Sequence, residues 1–153
     1  ELSKYWRATS KWVDRVENWL HSDQLSSVYS RMLEFDTGHI YPIMCQWNQS
    51  ENPWKRRQSL VSLLYYARQR RKFLSPNQIF TLAEAVVSDS HFFVQRGLGW
   101  CLRECWQIYP KETFLFIKTR APYFSPIAFA TATEKMSDKK RYTLKKIRSK
   151  TRN

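Results

Sequence analysis

The sequence is poor in glycine, with three glycines among its 153 residues. Antiparallel sheets use glycine at many of their tight turns, so this scarcity favours helices over strands. The composition also differs from that of a disordered chain, because 42% of the residues are hydrophobic and 16% are aromatic. We therefore predict an all-α protein that is long enough for one domain with a substantial core.

Long apolar runs and acidic residues are scarce as well. No run approaches the roughly 20 apolar residues that a membrane-spanning helix needs, and no signal peptide is visible. Lys and Arg total 26 against 13 Asp and Glu, a formal net charge of +13. Such an excess repels itself unless a polyanion balances it. Nucleic acid is the first candidate partner, ahead of an anionic membrane surface.

Cysteine and histidine are too few and too scattered to predict a metal site. The three cysteines, Cys45, Cys101 and Cys105, are odd in number and show no CxxC spacing. Cys101 and Cys105 lie one helical turn apart, but no His or Cys pair completes a tetrahedral zinc set. We expect reduced, buried thiols in a cytoplasmic protein and no bound metal.

Potential helix starts recur along the chain at a regular interval. Short polar segments precede apolar-periodic stretches at Ser22, Ser50, Ser88 and Ser125. The interval is 38 residues from Ser50 to Ser88 and 37 from Ser88 to Ser125, which is the period of HEAT-like repeats. We predict a HEAT-like solenoid of antiparallel helix pairs over residues 1–134, in which basic residues on a concave face would cradle a duplex.

Apolar periodicity indicates the individual helices. It predicts an opening helix from Trp6 to Leu20, one that contains Trp54, and one that begins at Pro76. A very apolar helix around Trp100 is expected at the centre of the stack, and Pro110 begins another. Residues 135–153 form a basic C-terminal helix or tail.

Two long motifs, about 40 residues apart, are more specific than the periodicity. The stretch Trp47-Asn-Gln-Ser-Glu-Asn-Pro-Trp-Lys-Arg-Arg57 resembles the "W-x-x-S-[DE]-N-x-W-x-x-R" segment of AlkD-like DNA alkylation-repair proteins. The stretch Phe92-Phe-Val-Gln-Arg-Gly-Leu-Gly-Trp-Cys-Leu-Arg-Glu104, followed by Tyr109-Pro110, resembles their "F-F-[IV]-Q-K-x-[IV]-G-W-x-L-R-E…P" segment. The head of the chain matches loosely, and we expect the chain to lack the family's first helices.

The resemblance implies an alkylpurine DNA glycosylase that acts on double-stranded DNA without a metal or an organic cofactor. Such an enzyme releases N3- and N7-alkylated purines by hydrolysis of the N-glycosidic bond. A carboxylate stabilises the sugar cation and orients the water, and aromatic faces add a cation–π contribution. The family is thought to hold the lesion backbone against a Trp–Trp–Asp constellation, with an Arg on the phosphate.

The resemblance carries over to this chain residue by residue. Arg57 falls on the phosphate-contacting Arg, and Trp100 falls on the second catalytic Trp. The family's "W-W-D-x-V-D" segment aligns with Trp12-Val-Asp-Arg-Val-Glu17, which places Glu17 on the catalytic Asp and Val13 on the first Trp. The predicted catalytic residues are Glu17, Trp100 and Trp12, with Asp14 and Asp23 as reserve carboxylates. The predicted DNA-binding residues are Arg57, Arg56, Lys55, Arg96 and Arg103.

Two other classes of function stay open at this stage. Val13 and Glu17 replace the family's catalytic Trp and Asp, and these replacements would suit a DNA-binding module of the same fold that has no glycosylase activity. Helical solenoids also serve as protein-interaction scaffolds, although the +13 charge then requires an acidic partner. In either case we expect a monomer that does not associate with a membrane.

Overall fold

A computed structural model describes residues 2–150 of the chain. Within these residues it contains nine α-helices, three short 3-10 turns and no strand, which confirms the all-α prediction. The α-helices are α1 Leu2–Thr9, α2 Trp19–Phe35, α3 Thr37–Asn48, α4 Pro53–Leu64, α5 Pro76–Ala85, α6 Phe92–Ile108, α7 Pro110–Arg120, α8 Pro126–Thr133 and α9 Asp138–Lys150. The 3-10 turns are Ser10–Arg15, Ala67–Gln69 and Ala121–Tyr123. Across residues 2–150, no helix has both the length and the apolar character that crossing a bilayer requires.

The helices form two layers, as helical repeats do. Helices α2, α4, α6 and α8 pack side by side in that order and form the inner layer. Helices α3, α5 and α7 form the outer layer, where α3 and α5 pack on α4 and α7 packs on α6. Each outer helix directly follows an inner helix that it also contacts, α3 after α2, α5 after α4 and α7 after α6, so the helix pairs of the predicted repeat fold are present.

Local signals explain where α4, α5, α7 and α8 begin. Asn52 accepts a hydrogen bond from the Trp54 N–H at 2.9 Å and caps α4. Ser75 and Gln78 form a reciprocal capping box at the start of α5. A proline occupies the first turn of α4, α5, α7 and α8, where its missing N–H leaves no hydrogen bond unmade.

Three of the four predicted serine caps are wrong. Ser125 does cap α8, by accepting from the Ala128 N–H. Ser22 is buried inside α2, Ser50 accepts from the Asn52 N–H just outside α4, and Ser88 precedes α6 by four residues. Asn18 and Asn52 cap α2 and α4 instead, because they are the extended residues directly before these helices, and from that position a side-chain oxygen reaches the free amide groups.

The predicted opening helix from Trp6 to Leu20 is also wrong, because it is broken in two places. Helix α1 ends at Thr9, the 3-10 turn Ser10–Arg15 follows, and Asn18 then begins α2. The Tyr29 hydroxyl donates to the Thr9 carbonyl at 2.7 Å, so this carbonyl has its partner outside the helix. Trp6 in α1 and Val13 in the 3-10 turn are both buried.

Aromatic packing fixes the first two helices to the solenoid. Trp6, Tyr29 and Trp47 form a cluster with ring centroids between 5.2 and 5.8 Å apart. Burial raises the pKa of the Tyr29 phenol above its usual range, and the group stays a neutral donor to Thr9.

Cys101 and Cys105 are free thiols in the centre of α6, and burial raises the pKa of Cys105 to about 11.

The basic C-terminal segment forms α9 as far as the structure describes it. Leu144 is buried, and α9 packs against α7 and the 3-10 turn Ala121–Tyr123. Arg148 donates to the Phe124 carbonyl at 2.9 Å and lies 5.2 Å from the Phe129 ring centroid. Residues 151–153 of the predicted tail lie outside the described residues, and the domain boundary at residue 134 stays a prediction.

Candidate functional site

The inner layer carries a cleft of about 550 Å³, called here the central cleft. It lies over α4 and α6, and both sequence motifs contribute to it. It is lined by Trp19 and Asp23 from α2, Arg57 from α4, Phe92, Phe93, Arg96, Trp100 and Arg103 from α6, and Thr131 and Glu134 from the α8 end. The cleft therefore combines cations, two carboxylates and exposed aromatic faces.

An ion pair between Arg57 and Asp23 forms the floor of the cleft. Arg57 Nη2 lies 2.8 Å from Asp23 Oδ1, and Arg57 also donates to the Ser22 hydroxyl at 3.2 Å and the Phe93 carbonyl at 2.8 Å. The Arg57 side chain is 8% exposed, whereas 41% of the Asp23 side chain is exposed. Burial lowers the pKa of Arg57, and the charge of Asp23 opposes that shift. The Arg57 guanidinium is thus buried, while the Asp23 carboxylate is partly exposed to solvent.

Buried polar contacts between α2 and α4 explain how this pair is positioned. The Gln58 side-chain amide lies within 3.0 Å of the Ser22, Ser26 and Ser62 hydroxyls. Ser22 belongs both to this network and to the contacts of Arg57, so α2 and α4 are fixed in register next to Asp23. Buried polar groups that are satisfied in this way specify one packing arrangement.

Gly97 lets α6 approach Arg57 closely from the other side. A Cβ at Gly97 would lie 3.1 Å from Arg57 Cγ and 3.3 Å from Val61 Cγ1. Because α6 comes this close, the Phe93 carbonyl one turn earlier reaches the Arg57 guanidinium. The two sequence motifs, which lie about 40 residues apart, therefore meet at Arg57.

Aromatic side chains form the walls of the central cleft. Trp19 and Phe92 are each 52% exposed, although large aromatic rings are usually well buried. The Phe93 ring stacks on the Trp54 ring, with 5.2 Å between the ring centroids. Trp100 is half-buried and contacts Tyr65 and Tyr66 at 5.9 and 5.5 Å. The cleft thus combines indole and phenyl side chains with the Asp23 carboxylate.

Charge in the cleft is only partly balanced. Arg103 donates to Glu134 at 2.8 Å and thereby lowers the pKa of that carboxyl group. Arg96 is exposed, lies 5.9 Å from the Phe92 ring centroid, and forms no ion pair with any residue between 2 and 150. Arg57 and Arg103 are balanced by Asp23 and Glu134. Arg96 is therefore the source of the cleft's unbalanced positive charge among the described residues.

The structure separates the predicted DNA-binding residues into two groups. Arg57, Arg96 and Arg103 line the central cleft. Arg56 instead makes a two-point ion pair with Asp89 at 2.6 and 3.3 Å and donates to two backbone carbonyls at the start of α4. Lys55 pairs with Asp14 at 2.7 Å. These last two cations lie beside the cleft and are engaged in contacts that hold the fold together.

Of the predicted catalytic residues, only Trp100 lines the central cleft. Glu17 is exposed in the segment between the first 3-10 turn and α2, and it pairs with no cation in the described part of the chain. Trp12 is 49% exposed and borders a separate shallow groove together with Val16 and His21. Val13, aligned with the family's first Trp, is buried in the core.

Two residues of α2 also line the cleft, Trp19 and Asp23, the second of which the sequence analysis gave as a reserve carboxylate. They lie four residues apart on the first turns of α2, so they share one face of the helix. Val13 and Glu17, the residues aligned with the family's Trp and Asp, have the same four-residue spacing. This spacing was the available signal for combining Trp19 with Asp23, and the better local match of Trp12-Val-Asp-Arg-Val-Glu17 concealed it.

Within residues 2–150, no three His, Cys, Asp or Glu side chains are grouped so that they could hold a metal ion. The acidic groups of the cleft are each engaged by an arginine, as described above. The site is therefore an arrangement of two partly exposed carboxylates, each paired with an arginine, together with aromatic walls.

Comparison with known proteins gives one finding. Residues 1–136 match the model of a family described as DNA alkylation repair enzyme. No curated protein and no solved structure matches the chain. The matched range contains every residue of the central cleft.

Proposed function

Because the chain belongs to the DNA alkylation repair enzyme family, we propose that it is a DNA glycosylase that excises N3- and N7-alkylated purines from double-stranded DNA. The observation that carries this proposal is the half-exposed Asp23 carboxylate, which Arg57 orients at 2.8 Å in a cleft with aromatic walls. Family membership supports a role in DNA repair, and the cleft suggests the chemistry. The +13 net charge suits a polyanionic substrate.

The chemistry that this cleft would perform is hydrolysis of the bond between C1′ of the sugar and the alkylated purine. The bonding electrons leave with the purine, which already bears a positive charge and so departs as a neutral base. The sugar becomes cationic as the bond breaks, and a negative carboxylate nearby stabilises it. Water then bonds to C1′ and loses its proton, to the Asp23 carboxylate in our assignment, which leaves an abasic site and the free base.

The other cleft residues would bind and orient the damaged nucleotide. The faces of Trp19 and Trp100 would interact with the cationic purine and sugar. Arg57 is almost fully buried and already donates to three acceptors, so we assign it to positioning Asp23. Arg96, which has no ion pair within the described residues, is our candidate for the contact with a DNA phosphate.

The test of this proposal is release of free base from duplex DNA that carries 7-methylguanine. We expect Asp23→Asn to lower the rate roughly 100-fold to 1,000-fold, the range seen when one electrostatic stabiliser is removed from an active site. Glu17→Gln is the matched control, because it removes an exposed carboxylate from the adjacent segment. Full activity of Asp23→Asn together with loss of activity in Glu17→Gln would return the catalytic role to Glu17.

A non-catalytic DNA-binding module is the second candidate, and the Arg57–Asp23 ion pair favours it. A cation at 2.8 Å offsets part of the negative charge that a developing sugar cation would feel. This candidate predicts tight, salt-sensitive binding to DNA with no release of base from the wild-type protein. It also predicts that Asp23→Asn changes DNA affinity little, since no step of catalysis depends on the carboxylate.

A further inference from the structure

A second groove, of about 700 Å³, adjoins the central cleft along the C-terminal half of α6. Its lining includes Tyr66 and Arg68 from the segment after α4, Trp106 from α6 and Lys135 from the segment after α8. Arg103 lines both depressions. Trp100 of the central cleft and Tyr66 of the second groove meet edge to face at 5.5 Å and mark the boundary between them.

The backbone that presents Tyr66 is strained. Tyr65 and Tyr66 have φ values of 20° and 52°, a region that side chains other than glycine and asparagine seldom adopt. Glu104, which is 3% exposed, accepts the Ala67 N–H at 2.9 Å and so holds the turn that follows them. A buried carboxylate thus helps to keep two consecutive tyrosines in a costly conformation. Strain of this kind is concentrated at functional sites.

The strained segment places the aromatic ring of Tyr66 in the lining of a basic groove. Tyr66 is 39% exposed, and the Arg68 guanidinium carbon lies 5.9 Å from its ring centroid. Lys140 of α9 lies 4.8 Å from the ring centroid of Trp106, another residue of the groove lining. The carboxylates nearby are engaged, because Glu104 accepts from Ala67 and Glu134 accepts from Arg103. The groove therefore offers aromatic surface together with a positive potential.

We infer that the second groove binds an unpaired nucleotide of the DNA whose damaged nucleotide occupies the central cleft. This inference rests on the proposed function, since it places DNA in the adjoining cleft. Base-stacking aromatic rings next to phosphate-attracting cations are the combination that binds single-stranded nucleic acid. A fully paired duplex would use the cations of this groove but has no free base face to stack on Tyr66. The groove thus selects a locally unpaired strand over an intact one.

The experiment compares binding of two duplexes that differ by a single unpaired nucleotide. Fluorescence anisotropy gives the Kd of the wild-type protein for the paired and for the bulged duplex, and their ratio is the selectivity. We expect the bulged duplex to bind more tightly by about tenfold, the effect of one stacked base. Tyr66→Leu should abolish this selectivity and leave the affinity for the paired duplex almost unchanged. Leu is as restricted as Tyr at positive φ, so the backbone strain is similar in the variant.

Two control variants separate stacking from damage to the fold. Tyr66→Phe keeps the ring and should keep the selectivity, and Tyr5→Leu removes an exposed tyrosine of α1 that lines neither depression. Equal affinities of the wild-type protein for both duplexes would overturn the inference, and so would an equal loss on both duplexes in Tyr66→Leu. Either result leaves the glycosylase proposal standing. Failure to bind any DNA would overturn both.

Discussion

Replacing Gly97 by alanine tests the arrangement of the central cleft, because it adds one methyl group where α6 meets Arg57. The added Cβ would lie 3.1 Å from Arg57 Cγ and 3.4 Å from Arg57 Nη1. At such distances the neighbour must yield by a few tenths of an ångström. Arg57 is fixed by Ser22, Asp23 and Phe93, so a shift of its stem displaces the guanidinium relative to at least one of them.

The expected effects on stability nearly cancel. Alanine in a helix interior is more favourable than glycine by about 1 kcal/mol. Weakening one charge-assisted hydrogen bond of a buried arginine costs about 1–2 kcal/mol. The free energy of unfolding should therefore change by no more than about 1 kcal/mol. Activity should fall by about tenfold, because a displacement of about 1 Å at a catalytic group reduces rates about 100-fold and this one is smaller.

The other two glycines supply the controls for this measurement. A Cβ added at Gly38 would meet no atom within 4 Å, so Gly38→Ala should stabilise the protein by about 0.5–1 kcal/mol without changing activity. A Cβ at Gly99 would lie 2.8 Å from the Ala128 carbonyl oxygen of α8, and Gly99→Ala should destabilise the protein by about 2–3 kcal/mol. Urea unfolding gives the stabilities, and base release from 7-methylguanine DNA gives the activity. An activity of Gly97→Ala equal to that of the wild type would refute the claim that Arg57 positions Asp23.

Three further predictions concern Arg56, Arg96 and the pH dependence of the stability that Glu34 contributes. Arg56→Gln should lower the free energy of unfolding by about 2–3 kcal/mol, because it breaks a mostly buried pair with Asp89, and it should leave the salt dependence of DNA binding unchanged. Arg96→Gln should leave the free energy of unfolding unchanged. It should reduce the steepness with which the logarithm of the DNA-binding constant falls against the logarithm of salt concentration by about 0.9; an unchanged slope would exclude a phosphate contact. Burial raises the pKa of Glu34, but the Arg71 and Lys72 N–H groups and the charge of Arg70 outweigh it and hold that pKa below its usual value. The carboxylate therefore stabilises the fold above its unfolded pKa, and this contribution is lost as the pH falls through the folded pKa. Glu34→Gln should cost about 1–2 kcal/mol at neutral pH and little in acid, as measured by urea unfolding across pH; a loss that does not depend on pH would contradict this assignment.

Much of the fold could be predicted from the sequence, because its signals are local. The starts of α5, α7 and α8 follow from Pro76, Pro110 and Ser125-Pro126, whose effects act within one helical turn. The apolar periodicity around Trp100 likewise indicated a central helix, and α6 has more than half of its residues buried. By contrast, α3 contains Gly38 and Pro42 and has no counterpart in the sequence analysis, since both residues weaken a helical pattern.

The two sequence motifs indicated part of the site for a similar reason. Arg57 and Trp100 lie inside long, ordered matches, so their positions did not depend on the rest of the chain. Arg56 and Arg57 nevertheless look equivalent in the sequence. Adjacent residues on a helix point about 100° apart, and so Arg56 faces Asp89 while Arg57 faces Asp23. That difference depends on which helices lie on either side of α4.

The sequence by itself determined that this protein is all-α, repetitive, strongly basic and similar to DNA alkylation repair proteins, because composition, helix signals and motifs are properties of neighbouring residues. Only the tertiary structure decided which carboxylate faces the aromatic walls. Glu17 and Asp23 lie six residues apart, and the capping of α2 by Asn18 puts one outside the helix and the other on its inner face. The partner that orients Asp23 comes from α4, more than 30 residues away, and contacts over that separation arise from packing.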